Sequence, residues 1–266
     1  MPELPEVETI VRRLRDPCVG RTINRAIVRW PRHIAKPSPN QFRRRIRGQI
    51  IQSLERRGKY LVFRLIQDTL LIHLRMSGDL DIFPSDAPRT KYEHTVFCLD
   101  NHYDLRFSDV RKFGKVYLSK HPEEMLSKLG PDPLDDTFTS QEFADRLSSR
   151  HRMLKTLLLD QSFLAGVGNI YADEALHAAR LHPMKRSDTL SNNQARRLWR
   201  SLRRVLRNGI RHNGSSIDWL YRGGEYQNHL RVYQRTGHPC HKCSNPVKKI
   251  TVGQRSTHYC PECQLP

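Results

Sequence analysis

The chain lacks any run of about 18 consecutive apolar residues, which argues against a membrane-spanning helix. Its opening, "MPELPEVE", has no apolar core and no early Lys/Arg cluster, so it does not read as a signal peptide. Acid is scarce: 27 Asp+Glu face 46 Lys+Arg, for a net charge of +19. A field of that sign attracts polyanions and points to nucleic acid. The chain shows no internal repeat and no low-complexity tract. Hydrophobic residues reach 37%, so cores are possible but not large. The 266 residues suffice for two domains or one large one. Six cysteines without a secretory signal indicate a reducing cytosol and a metal site, not a disulfide framework.

What is present is organised. Basic residues cluster in "QFRRRIRGQIIQSLERRGKY" (41–60) and "QARRLWRSLRRVLRNGIR" (194–211). In the second, Leu198, Leu202, Val205, Leu206 and Ile210 recur at helical spacing, so the arginines take the other face. A merely solvated face explains any single Arg equally well. The first half reads as short strands: "RTINRAIVRW", "GQIIQSLE", "KYLVFRLI", "TLLIHLRM", "DLDIF", "HTVFCL", "YDLRF" and "KVYLS". Gly78-Asp79 and Asp100-Asn101 read as turns between them, and the spacing predicts an antiparallel sandwich or barrel. A helix precedes it, with Pro5 in the first turn and an apolar stripe of Val7, Ile10, Val11 and Leu14. "LGPDPLDD" (129–136) reads as a linker. Helical patterns follow at 140–148, 152–160, 170–180 and 192–210, and the tail from His238 is a third, small unit. Strands followed by helices argue for an α+β multidomain chain, divided as 1–131, 132–237 and 238–266.

Three motifs carry chemistry. Cys240-x2-Cys243-x16-Cys260-x2-Cys263 has zinc-ribbon spacing, and four thiolates close a Zn2+ site to water, which makes it structural. The residues between form a hairpin around "GQRS", with Arg255 at or near the tip. "FLAGVGNIYADEALHAARLHP" (163–183) places glycines before a helix, with Leu164 closing the preceding helix and Asn169 as a cap. By pattern alone this is equally an ordinary packing corner. Finally, removal of Met1 would leave Pro2 with a free secondary amine, and Glu3 beside it as acid or base. By pattern alone a terminus simply frays.

A resemblance decides between these readings. "PELPEVET", "RGKYL" (57–61), "IHLRMSG" (72–78), "DVRKFG" (109–114), "GVGNIYADEAL" (166–176) and the four-cysteine ribbon with "GQR" occur in that order. Together they resemble bacterial formamidopyrimidine-DNA glycosylase over essentially the whole chain. The resemblance implies an N-terminal β-sandwich, a helical domain with a helix–two-turns–helix motif, a zinc finger, and duplex DNA in the cleft between domains.

It also implies roles. Pro2 is the nucleophile that attacks C1′ of a damaged nucleoside, and Glu3 the carboxyl for ring opening and proton transfer. Lys59, Asn169 and Arg255 grip phosphate. Met76, Arg111 and Phe113 fill the hole left by the extruded base, Arg111 facing the orphaned cytosine. Without the resemblance, Met76 reads as a turn residue and Phe113 as core. His73 joins the expected DNA contacts. Residues 214–227 correspond to the loop that closes over the flipped base, and Glu6 matches the opening motif, with helix N-terminal charge as its simplest role.

The expected partner is double-stranded DNA carrying an oxidised base, with no membrane, no catalytic metal, a monomeric state and a cytoplasmic location. Two other readings compete. An endonuclease VIII-type enzyme typically opens "PEGPE", whereas this chain has Leu4. A non-catalytic zinc-ribbon DNA-binding protein has no use for the Pro2-Glu3 terminus.

Overall fold

The computed structural model describes residues 1–216 and 223–266. They form two compact units, Met1–Ser127 with Asn213–Gly224, and Lys128–His212 with Glu225–Pro266.

The first unit begins with helix α1 (Leu4–Cys18). Its stripe of Val7, Ile10, Val11, Leu14 and Cys18 is fully buried, each side chain contributing about 1.5–3 kcal/mol of burial. Strands follow: β1 (Thr22–Val28), β2 (Ile34–Lys36), β3 (Gln49–Arg57), β4 (Tyr60–Leu65), β5 (Thr69–His73), β6 (Gly78–Pro84), β7 (Glu93–Leu99), β8 (Tyr103–Asp109) and β9 (Lys115–Ser119). Helices α2 (Pro39–Ile46) and α3 (Glu123–Leu126) complete the unit. The strand order is β2-β9-β5-β4-β3-β1-β7-β8-β6. β1 joins the two halves of this sandwich: Thr22 and Ile23 pair with β3, and past an irregularity at Ile23/Arg25 it pairs with β7. One core holds side chains from both halves, among them Leu54, Leu61 and Phe63 with Ile23, Phe97 and Phe107.

All eight expected strands are present, and three details differ. Gly78 and Asp79 lie inside β6, not in a turn; the turn is one step earlier, at 75–77. The pairing is antiparallel except for β2 against β9, which is parallel. β2 and α2 were not expected. Ser38 caps α2, Pro39 opens it, and it buries Phe42 and Ile46 one turn apart. Its arginine-rich outer face hid that short apolar pair.

The second unit contains α4 (Ser140–Ser148), α5 (Leu154–Leu159), α6 (Asn169–Ala178), α7 (Asn192–Arg211), and a hairpin of β10 (Lys248–Val252) and β11 (Arg255–Tyr259). α5 stops at Leu159 rather than Leu164. The reason is local: Asp160 takes the N–H and hydroxyl of Ser162 at 2.9 and 2.7 Å, a side-chain turn that competes with the helix. Gln161 then accepts the Gly166 N–H at 2.9 Å and donates to the carbonyls of Leu159 and Val167. Two turns thus separate α5 from α6. α7 buries Leu198, Leu202, Val205 and Leu206, while Arg196, Arg200, Arg204 and Arg207 are exposed.

Candidate active site and zinc centre

The terminus of the first unit is not frayed. Pro2 is buried and Glu3 is only 2% exposed, although Met1 is open to solvent. Glu3 is the N-cap of α1. Its side chain accepts the Glu6 N–H, and Glu6 accepts the Glu3 N–H at 2.8 Å, a reciprocal capping box. The other Glu6 oxygen accepts the Ser215 N–H at 2.8 Å. Gly214 permits this: a Cβ there would sit 2.7 Å from that oxygen, and its φ of +74° is the left-handed region. Glu6 therefore does more than complement the helix dipole, because one carboxylate holds both the start of α1 and residue 215. The rest of the 214–227 stretch includes residues 217–222, which lie outside the described residues.

Lys59 is buried in the Gly58–Lys59 turn between β3 and β4. α1 is tied to that turn: Glu8 pairs with Arg56 at 3.1 Å, and Arg56 donates to the Gly58 carbonyl at 3.2 Å. His73, at the end of β5, stands edge-on to Tyr60. Its Nδ1 accepts the Arg75 N–H at 3.0 Å. Burial, with Arg75 and Lys59 nearby, pushes its pKa down to about 3. The ring is thus neutral near pH 7 with its proton on Nε2, a donor suited to a phosphate oxygen.

Met76 and Phe113 are exposed, at 42% and 52%, so Phe113 is not core. Arg111 is exposed as well, its Nη1 3.6 Å from the Met76 sulfur. Two loops thus carry exposed apolar side chains, and the Arg111 guanidinium of one meets Met76 of the other.

In the second unit Gly168 is the cap of α6 and Asn169 its first residue, not the cap expected. Freed from capping, the Asn169 amide donates to the Ser256 carbonyl at 2.9 Å, next to Arg255. Arg255 is exposed and opens β11 opposite Val252, at the hairpin tip. The hairpin is held from α6. Asp173 accepts the Lys155 ammonium at 2.6 Å and the His258 N–H at 2.9 Å, and Lys155 also donates to the Asn169 carbonyl at 3.0 Å. Glu174 accepts the N–H groups of Arg231, Val232 and Tyr233. Sequence reasoning passed over both acids; adjacent carboxylates on an otherwise apolar helix were the available signal.

Sulfurs of Cys240, Cys243, Cys260 and Cys263 all lie within 4.8 Å of one another. The Cys243–Cys260 and Cys240–Cys263 separations, 3.4 and 4.0 Å, bracket the roughly 3.8 Å edge of a tetrahedron with ~2.3 Å Zn–S bonds. The set fits one structural Zn2+, with no position left open for catalysis. Cys18, by contrast, is an inert core residue whose thiol burial pushes up to about 12.

A sandwich, a helix–two-turns–helix unit and a four-cysteine finger, in that order, define a multidomain protein of the zinc-finger class. Comparison with known proteins makes the assignment particular. Residues 1–116 match the formamidopyrimidine-DNA glycosylase N-terminal domain, 129–220 the helix–two-turns–helix domain of the same enzymes, and 237–265 the zinc finger found in FPG and IleRS. A formamidopyrimidine-DNA glycosylase of Herpetosiphon aurantiacus is 44% identical over 99% of this chain and 100% of its own. A Lactococcus lactis FPG mutant in complex with Fapy-dG-containing DNA superposes with a TM-score of 0.93 at 37% identity, covering 100% of both chains. The L. lactis protein bound to abasic-site DNA matches equally, covering 99% of this chain and 100% of that one, with a TM-score of 0.93 and 37% identity. The chain belongs to the formamidopyrimidine-DNA glycosylase family, bifunctional base-excision repair enzymes that remove oxidised purines and act as AP lyases. No helix among the described residues is long and apolar enough to cross a membrane.

Proposed function

We propose that Pro2, freed by removal of Met1, is the nucleophile and that Glu3 is its proton-transfer partner. The observation that carries this is the burial of both residues in a terminus locked by the Glu3–Glu6 capping box. A buried, hydrogen-bonded terminus is costly to maintain unless its geometry is used. While Met1 is attached the Pro2 nitrogen is an amide and not nucleophilic; its removal leaves a secondary amine. That amine attacks C1′, the glycosidic bond breaks, and the oxidised purine leaves with a proton. Glu3 delivers a proton to the sugar ring oxygen, the ring opens, and a positively charged imine joins protein to DNA. The imine acidifies the neighbouring C–H, and β- then δ-elimination expels the 3′ and 5′ phosphates.

On the first unit Lys59 and His73 contact phosphate, and Met76, Arg111 and Phe113 replace the extruded base; on the second, Asn169 and Arg255 contact phosphate. The functional domains are 1–131, 132–237 and 238–266. The protein works as a monomer in the bacterial cytoplasm, associated with the nucleoid through duplex DNA bearing 8-oxoguanine or a formamidopyrimidine.

Intact mass should show loss of Met1, and borohydride should join the protein covalently to lesion DNA. Pro2→Gly leaves a primary amine on a more flexible terminus and should lose most of that trapping while still binding the lesion. Trapping at the wild-type rate would move the nucleophile to another amine, Lys59 first.

A further inference from the structure

Asp109 has no part in the chemistry above, yet it is among the most heavily engaged side chains of the first unit. It ends β8 with its carboxylate fully buried. A buried charge is costly unless hydrogen bonds replace its water. Here Oδ1 accepts the Ser77 hydroxyl at 2.5 Å and the Arg111 N–H at 3.1 Å, and Oδ2 accepts the Gly114 N–H at 2.7 Å. His33 Nε2 lies 3.7 Å from Oδ2, and that ring stacks on Phe107 and meets the Thr95 hydroxyl at 3.2 Å. Burial alone would raise the Asp109 pKa, but His33, Ser77 and Gly114 outweigh it and hold it at about 2. These hydrogen bonds favour the charged carboxylate.

Two exposed loops converge on this anion. One, 75–77, carries Met76 and is held through Ser77. The other, 110–114, carries Arg111 and Phe113 and is held through the N–H groups of Arg111 and Gly114. The Arg111 N–H also reaches the Ser77 hydroxyl at 3.1 Å, so the loops are bonded to each other as well. Gly114 is required for the second loop to close: a Cβ there would lie 2.4 Å from the Phe107 ring and 3.1 Å from Asp109 Oδ2.

We infer that Asp109 is the positioning residue of the base-replacing group, one carboxylate fixing the spacing between Met76 on one loop and Arg111 and Phe113 on the other. This rests on the proposed role of those three residues. Wedging apolar side chains into a stack must first unstack the bases, which is unfavourable. Arms already held in register add no ordering cost to that. Fully buried, Asp109 acts through the loops it holds and makes the two arms enter as one body.

The test uses full-length protein and a duplex with 2-aminopurine beside 8-oxoguanine, whose fluorescence rises on unstacking. Asp109→Asn keeps the shape but turns one acceptor into a donor, so an N–H or O–H now faces an NH2. Ser77→Ala removes the bond from the Met76 loop to Asp109 and its bond to the Arg111 N–H, and leaves the Asp109 bonds to the second loop in place. Stopped-flow insertion and single-turnover excision should both slow, about tenfold for Asp109→Asn and about threefold for Ser77→Ala, as for a charge-assisted and an ordinary hydrogen bond. Cleavage of a preformed abasic site at saturating enzyme should stay within about twofold, because that chemistry needs no base extrusion. Equal slowing of both reactions would mean a merely structural role and overturn the inference. If Asp109→Asn does not fold, Ser77→Ala decides alone. Met76→Ala and Phe113→Ala separate the two levels. If they leave insertion unchanged, the base-replacing role fails and takes this inference with it. If they slow insertion while Asp109→Asn and Ser77→Ala do not, only the positioning role of Asp109 is wrong.

Discussion

The chain terminus and the finger tip are held in place by different physics. Pro2 and Glu3 lead directly into a helix whose apolar stripe is sunk in a large sandwich core, with a capping box as the final adjustment. Arg255 sits on a two-stranded hairpin that has almost no core of its own. It depends on four thiolates around a metal and on Asp173 beneath His258. A hairpin of that size is marginal in water without such help. The terminus is therefore secured by burial, and the tip by charge and metal. Perturbations of one kind should disable one region and spare the other.

Zinc removal should separate the two regions most sharply. Cys260→Ser should release the metal and unfold the finger, because binding and folding of such units are coupled. DNA affinity should fall by one to two orders of magnitude, roughly the ~1.5–3 kcal/mol of a charge-assisted phosphate contact. The sandwich should keep its unfolding transition. Zinc-free protein with normal DNA affinity would contradict the account.

The second contrast lies within the polar network. Asp173→Ala deprives the fully buried Lys155 ammonium of its carboxylate. Removing one partner of such a pair typically costs ~3–5 kcal/mol. Denaturant melting should show that loss in the second unit, and zinc affinity should fall with it because His258 loses its anchor. A stability change confined to the first unit would contradict it.

A smaller effect is expected at the exposed group. Arg111→Ala should weaken discrimination for the base opposite the lesion by about 1–3 kcal/mol, more than it slows abasic-site cleavage. Excision of 8-oxoguanine opposite cytosine and opposite adenine measures this, and an unchanged ratio would reject the role.

The two regions were also unequally legible. Strand periodicity and the α1 stripe were plain because each side chain's fate follows from its own position in the pattern. The four cysteines were plain because metal ligation fixes their spacing. Hydrogen-bond geometry was less legible. Asn169 looked like a cap, but Gly168 before it adopts the extended cap conformation, and the amide turns to Ser256 instead. Glu6 looked like helix-dipole charge, yet its second oxygen holds residue 215, more than 200 positions away. Asp109 gave no sign at all, since its partners at 33, 77, 111 and 114 share no periodicity. Phe113 was assigned by resemblance against its pattern, which read it as core; it is exposed.

The central claim is that Pro2 and Glu3 divide the work, and Glu3→Gln tests it most directly. Gln keeps the size and an acceptor for the Glu6 N–H, so α1 should remain capped, while the proton donor is gone. General acid–base help is typically worth about 10²–10⁴-fold. Excision of an intact 8-oxoguanine should collapse by that order. A preformed abasic site has lost its base and opens its ring unaided, so borohydride should still trap the mutant on it appreciably. Single-turnover excision and trapping, measured side by side on the two duplexes, give the answer. Collapse of the first with survival of the second is the expected result; normal 8-oxoguanine excision by the Gln variant would contradict the account.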